Sequence, residues 1–187
     1  MESVYFIAKE DKFMKSLAKK SAFGALFATL CCVSTLIVTI PLPNGYFNVG
    51  DVFVLLSGWC LGPLYGAVAA AVGSALADLW SGFALYAPAT FLIKGLNAAL
   101  AWLVVFLIKK LIKKETLDCI SRIAGAVAGE TVMLLGYFLF ETALYGLAGG
   151  AVALVGNALQ GVCCGSLAVI LFSALYPIKT VRNLFSL

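Results

Sequence analysis

Asp51-Val52-Phe53-Val54-Leu55-Leu56-Ser57-Gly58-Trp59-Cys60-Leu61-Gly62-Pro63-Leu64-Tyr65-Gly66 opens an apolar run that continues to Leu79. Whether that run crosses a hydrocarbon layer once or twice decides the topology of the whole chain. Leu61-Gly62-Pro63 divides it, because proline lacks the helical N–H and restricts the residue before it, while glycine accepts a sharp backbone turn. Divided there, the run gives two short crossings, 49–61 and 63–80. The basic residues arbitrate. With the division, Lys9, Lys12, Lys15, Lys19, Lys20, Lys109, Lys110, Lys113, Lys114, Arg122, Lys179 and Arg182 all fall on one side, which the positive-inside rule makes cytoplasmic. Without it, the four-lysine loop would lie opposite the N-terminal lysines. Lys94 alone stays inside a span.

The surrounding sequence has the composition that this reading needs. Hydrophobic residues make up 63% of 187 residues, charged residues 12%, and mean hydropathy is +1.04, more apolar surface than a water-soluble domain of this size can hide. Runs such as Gly66 to Leu79 and Ala98 to Ile108 are apolar on every side, without the alternation of a membrane barrel. The run from Ala22 to Ile40 is too long for a signal-peptide core and has no clean cleavage site, so it reads as the first span. The expectation is an all-α integral membrane bundle of six transmembrane helices, both termini cytoplasmic, forming a single membrane domain over residues 1–187. Its spans are about 16–40, 49–61, 63–80, 88–109, 118–143 and 149–176.

The net charge of +4 is confined to clusters beside apolar segments, where it meets lipid headgroups; no nucleic-acid partner is expected. Cys31 with Cys32 and Cys163 with Cys164 are adjacent pairs, there is no C-x-x-C spacing and no histidine, so neither a metal site nor a cofactor is expected. The second span, about 13 residues or roughly 20 Å, needs shelter from neighbouring helices or a tight corner. Glycines at spacing four (Gly58, Gly62, Gly66; Gly125, Gly129; Gly146, Gly150; Gly161, Gly165) allow close helix approach.

Polar residues inside spans mark the candidate site, since each ionisable group there costs about 2.5–3.5 kcal/mol on insertion scales and needs a partner or a purpose. Lys94 and Asn97 in the fourth span, and Asn157 and Gln160 in the sixth, share one layer. Glu130, Tyr137 and Glu141 lie on one stripe of the fifth span, at spacings of seven and four. At the outer side stand Asp51, Asp78, Trp80 and Tyr86, with the loop Pro43-Asn44-Gly45-Tyr46-Phe47-Asn48. Amides, carboxylates and aromatic walls suit a flat polar heterocycle in an outward-open cleft, with Tyr46 and Asn48 among the binding residues. Lys94 has two readings, a ligand contact or an ion pair with Asp51 or Asp78 that fixes the bundle. No catalytic grouping accompanies these residues: there is no histidine base and no G-x-x-x-x-G-K-[ST] loop for ATP.

Phe47-Asn48-Val49-Gly50-Asp51, Leu61-Gly62-Pro63-Leu64-Tyr65-Gly66, Gly73-Ser74-Ala75-Leu76-Ala77-Asp78-Leu79, Tyr86-Ala87-Pro88-Ala89-Thr90-Phe91 and Lys94-Gly95, in that order, resemble the substrate-binding S components of energy-coupling factor (ECF) transporters. The resemblance implies a small membrane protein that captures a vitamin, a vitamin precursor or a metal ion from outside. It then topples in the membrane on docking to a coupling transmembrane protein with two ATPase subunits. It implies docking through small residues at spacing four on the first helix; Ala18 and Ala22 fit, with Ser21, Ala25 and Ala28 extending the stripe. The metal-transporting members carry an N-terminal histidine site that this chain lacks, so a small organic ligand is implied, of the riboflavin-like or pyridine and pyrimidine type. A solitary proton-coupled permease with Glu130 as the proton site, and a membrane enzyme using Glu130 or Glu141, are the competing readings.

Overall fold

The computed structural model describes residues 2–42, 45–112 and 118–178, with side chains from Leu17 onward. Pro43, Asn44, Lys113, Lys114, Lys179 and Arg182, and the side chains of Lys9, Lys12 and Lys15, lie outside the described residues. Helix α1 spans Glu2–Ile37, strands β1 and β2 span Thr39–Leu42 and Gly45–Asn48, and helices α2, α3 and α4 span Gly50–Trp80, Ala87–Leu111 and Asp118–Leu175. Among the described residues, four helical stretches are long and apolar enough to cross a membrane: Leu17–Ile37, Gly50–Trp80, Ala87–Leu111 and Asp118–Leu175. The span of α2 is 61% buried, against 22% for α1 and 33% for each of α3 and α4, so α2 is the central element.

Two of these helices are bent back on themselves. In α2 the backbone leaves helical geometry at Gly62 (φ 81°, ψ −176°), a region open to glycine alone, and Pro63 starts the next arm with no N–H to satisfy. The Ser57 hydroxyl donates to the carbonyl of Gly66 at 3.0 Å. Nine residues of straight helix would separate those groups by about 13 Å, so the chain reverses at the corner. Helix α4 does the same at Gly146 (φ 77°). There Gly150 packs against the Phe138 carbonyl, and further along Gly161 meets Glu130 and Gly165 meets Ala126, the pairing of two antiparallel arms. Gly62 is therefore the corner that its place before Pro63 suggests; Gly146, read above as a helix-packing glycine, is a corner too, while Gly58, Gly66 and Gly150 do pack.

The first span is shorter than expected. α1 ends at Ile37, where the Thr39 hydroxyl donates to the carbonyls of Thr35 (2.7 Å) and Leu36 (3.3 Å), and β1 pairs antiparallel with β2 as a hairpin, Thr39 opposite Asn48. The expected span to residue 40 ends three residues early, and this short hairpin is added to the expected all-helical bundle. β-Branched Val38, Thr39 and Ile40 favour extended chain, and Pro41 cannot continue the helical ladder.

Apart from Lys94, described basic residues gather at the Gly62 end. Lys20 lies 5.9 Å over the Tyr65 ring, Lys109 pairs with Asp118, and the Arg122 guanidinium sits between the rings of Phe172 (4.2 Å) and Trp59 (5.3 Å). At the opposite end stand the hairpin, the start of α3 and the Gly146 corner, joined by the hydroxyls of Tyr86 and Tyr145 at 3.4 Å. Leu64, Leu92, Leu96 and Leu139 are exposed, where lipid would cover them.

Close approach of the arms is a stability requirement that can be measured. A Cβ on Gly58 would collide with the Ala98 carbonyl of α3, whereas a Cβ on Gly24 meets nothing within 4 Å. Gly58→Ala should lower stability by about 1–3 kcal/mol and Gly24→Ala should leave it unchanged or slightly raised, as read by thermal unfolding in detergent.

Candidate functional site

The hairpin, the C-terminal end of α2, the N-terminal end of α3 and both arms of α4 enclose a cleft of about 460 Å³. Its floor is a buried polar network. The Lys94 ammonium donates to Asp51 Oδ1 at 2.5 Å, with side-chain exposures of 4% and 1%. The other carboxylate oxygen, Oδ2, accepts from Gln160 Nε2 at 2.6 Å. Gln160 Oε1 in turn accepts from the Asn48 backbone N–H at 2.9 Å and from Asn48 Nδ2 at 3.3 Å. Asn48 Oδ1 receives the Gly50 N–H (2.9 Å) and the Thr35 hydroxyl (3.2 Å), which orders the turn from β2 into α2. Of the two readings of Lys94, the ion pair with Asp51 is the one present, although Lys94 also borders the cleft, 5.3 Å from the Tyr137 ring centroid.

One wall is aromatic. Tyr46 packs on Phe83 at 5.0 Å, Phe83 on Tyr86 at 5.9 Å and Tyr86 on Phe140 at 5.2 Å, between ring centroids. The Tyr46 hydroxyl donates to Asp78 Oδ1 at 2.5 Å. Burial, reinforced by the Asp78 carboxyl, pushes the Tyr46 phenol well above its ordinary range, so it keeps its proton and remains a donor at neutral pH. Thr90 and Tyr137 share a hydroxyl pair at 2.9 Å. The opposite wall is apolar, formed by Leu42, Val152, Ala153, Val155 and Leu159, with the half-buried Asn157 set into it.

The cleft thus brings together Asn157, Gln160, Lys94, Tyr137, Glu141, Tyr46, Asn48, Asp78 and Tyr86 from the sequence reading. Three residues of that reading lie elsewhere. Trp80 is 71% exposed, because two helical positions beyond Asp78 points to the other side of α2. Asn97 is fully buried against Gly129, past the floor and outside the cleft. Glu130 is buried too, but it borders a separate groove of about 580 Å³ between the arms of α4, since Gly161 and Gly165 of the returning arm close over it. Asn157 borders both spaces.

Thr35, Ser74, Phe83 and Thr90 also line the cleft, and the sequence reading did not include them. Ser74 and Thr90 stand one turn before Asp78 and Lys94, a spacing that could have found them; Phe83 carries no such signal. On α1, Ala18, Ser21, Ala22 and Ala25 are exposed, but Ala28 is half-buried with its carbonyl against Gly73 of α2, so it serves an internal contact instead of a free stripe. Among the described residues, no group of three or more His, Cys, Asp or Glu is placed to hold a metal ion.

A cleft with hydrogen-bonding groups at its floor and rings along one wall can grip a planar, polar molecule. Comparison with known proteins gives this chemistry a family. A solved structure described as the S component of a bacterial ECF transporter aligns with a TM-score of 0.62, covering 86% of this chain and 97% of that one at 19% identity, a likeness of fold. A Pyrococcus woesei protein, described only as an uncharacterized protein in the gap 3′ region, is 40% identical over 124 residues, which are 65% of this chain and 76% of its own. The family described as ECF-type riboflavin transporter, S component, matches residues 15–177, nearly the whole sequence, and the chain is a membrane protein that belongs to that family.

Proposed function

We propose that this protein captures riboflavin, or a flat heterocycle very like it, from outside the cell and delivers it inward on docking to a coupling membrane protein driven by two ATPase subunits. The observation that carries the reading is the outer cleft, in which an aromatic wall (Tyr46, Phe83, Tyr86) faces amide and hydroxyl groups over a volume of about 460 Å³, within the range of about 300–1,000 Å³ usual for small-ligand sites. Ring stacking and hydrogen bonds to ring nitrogens and carbonyls would hold the ligand. In the same reading the arms of α2 and α4 each cross the membrane separately, giving six spans with both termini in the cytoplasm of a prokaryotic cell. The two glycine corners and the gathering of Lys20, Lys109 and Arg122 at one end support that topology. The exposed Ala18, Ser21, Ala22 and Ala25 would dock the coupling protein.

Three measurements test this reading. Riboflavin fluorescence should be quenched on binding to the purified protein. Asn157→Ala should weaken that binding by roughly tenfold with little change in melting temperature, because no other side chain of the floor network depends on it. Gln160→Ala should lose affinity and also about 1–3 kcal/mol of stability, since it strands Asn48 and Asp51. Absence of quenching by the wild type would remove riboflavin as the ligand.

Topology is read at Cys119, which is exposed beside the Lys109–Asp118 pair. In a variant with the other cysteines replaced, an impermeant thiol reagent should label it in inside-out vesicles and not in intact cells; the reverse pattern would invert the orientation.

Ala22→Trp puts bulk on the exposed stripe of α1. Uptake should fail while riboflavin binding to the isolated protein stays intact, and normal uptake would place docking on another surface.

A further inference from the structure

The groove of about 580 Å³ between the two arms of α4 is a space that the cleft does not explain. Its sides are apolar, with Ile123, Val127 and Leu134 on one arm and Val162, Val169 and Ile170 on the other, and Val127 and Val162 are 63% and 69% exposed. The groove therefore opens toward the bilayer. At its bottom lies Glu130, 8% exposed, with neither carboxyl oxygen hydrogen-bonded among the described residues. The Asn97 amide is within electrostatic reach of that carboxyl but outside hydrogen-bond geometry, Lys94 is held by Asp51 at 2.5 Å, and the Thr131 hydroxyl donates to the Val127 carbonyl. The other polar residues of the groove, Asn157 and Ser166, carry no charge. Gly161 and Gly165 put no side chain across the carboxyl; a Cβ on Gly161 would stand 3.1 Å from the Glu130 Cβ and 3.5 Å from its Oε2. An ionisable group left in this way inside a membrane span marks a place for a ligand.

The apolar sides call for an apolar body, and the carboxyl group calls for an amine. Amine and carboxyl match whichever of them carries the shared proton, as ammonium with carboxylate or as amine with acid, whereas an alcohol leaves a carboxylate charge uncompensated. A metal ion fits poorly, since no group of three or more His, Cys, Asp or Glu stands together among the described residues. Depth excludes the amine of a phospholipid. Glu130 lies about 18 Å along the helix from Asp118 and about 24 Å from the Gly146 corner, while a phospholipid ammonium stays at the membrane surface. We propose that the groove is a second ligand site, separate from the cleft, that takes a lipophilic amine: an amino group paired with Glu130, on an alkyl chain or ring system lodged between Ile123, Val127, Val162 and Ile170.

The test is photolabelling of the purified protein in phosphatidylcholine nanodiscs, with dodecylamine that carries a diazirine on its chain. Peptide mass spectrometry should place the label on residues 123–134 and 157–170, displaced by excess dodecylamine and at least about tenfold less well by 1-dodecanol. Nanodiscs that contain phosphatidylethanolamine should give the same labelling. Glu130→Gln should weaken labelling by about tenfold or more, and Val127→Trp, which narrows the groove from its lipid-facing rim, should weaken it without touching the carboxyl. Melting temperatures show whether each variant folds, and the rim variant keeps the test decisive should Glu130→Gln fold poorly. Equal displacement by the alcohol, label spread over all the lipid-facing helices, or undiminished labelling of folded Glu130→Gln would make the groove a seat for lipid chains and overturn the proposal. Displacement by phosphatidylethanolamine would overturn it too. A dimer in native mass spectrometry that Val127→Trp dissolves, with no amine label on either arm, would give the groove to a second copy of the chain instead. None of these readouts involves riboflavin, so the outcome is independent of what the cleft binds.

Discussion

The ion pair between Lys94 and Asp51 is the constraint on which the rest of the bundle depends. Both groups sit where water is scarce, and neither could be buried alone, since breaking such a pair from one side typically costs about 3–5 kcal/mol. Satisfying the second carboxylate oxygen requires Gln160, and satisfying Gln160 requires Asn48. The pair thereby specifies how α2, α3 and α4 come together with the hairpin, and in what register. Apolar packing between lipid-facing helices cannot do this, because in a bilayer burial against a neighbour adds little over burial in lipid. The polar layer supplies the uniqueness that the hydrophobic effect lacks in this solvent.

The glycine corners meet the second demand, that α2 and α4 each fold back as two arms. A corner at Gly62 lets the first arm of α2, too short to span a typical bilayer unsupported, lie wholly inside protein, where residues 54–61 are buried on all sides. It also returns the chain at once, so that the Ser57 hydroxyl donates to the Gly66 carbonyl across the turn. At Gly146 the same device folds α4 so that Glu141 and Gln160, on different arms, both reach the cleft. Backbone geometry at two residues thus places side chains far apart in sequence around one space.

Much of this architecture is legible in the sequence for identifiable reasons. Hydropathy locates the four long apolar stretches, because transfer into lipid acts on each segment almost independently. The layer of Lys94 and Gln160 follows from depth along the helices, and Tyr137 with Glu141 from helical period. What the sequence lacks is information about neighbours. Glu130 has the right stripe and nearly the right depth, yet the returning arm with Gly161 and Gly165 takes it away from the cleft, an approach that no local pattern records. Ala28 continues the small-residue stripe of α1, but Gly73 draws it against α2. The hairpin is hidden because β1 is apolar enough for hydropathy to run on into it from α1, while β2 carries the glycine and asparagine of a loop. Trp80 is the exception, since its phase relative to Asp78 is available in the sequence.

The division between floor and wall bears on how a site of this kind can bind tightly. If a paired ion in the cleft had to be freed for the ligand, desolvation and the loss of its partner would offset much of the favourable energy of binding. Here Lys94 and Asp51 satisfy one another and hold the helices, so many of the groups that face a ligand are hydroxyls, amides and rings fixed by their own neighbours, beside the carboxyl groups of Asp78 and Glu141. Tyr46 is held by Asp78 and Phe83, Thr90 by Tyr137, and Gln160 by Asp51 and Asn48. A ligand entering such a cleft loses its own freedom without having to order the protein as well, and that preorganisation favours affinity for a planar molecule of matching shape.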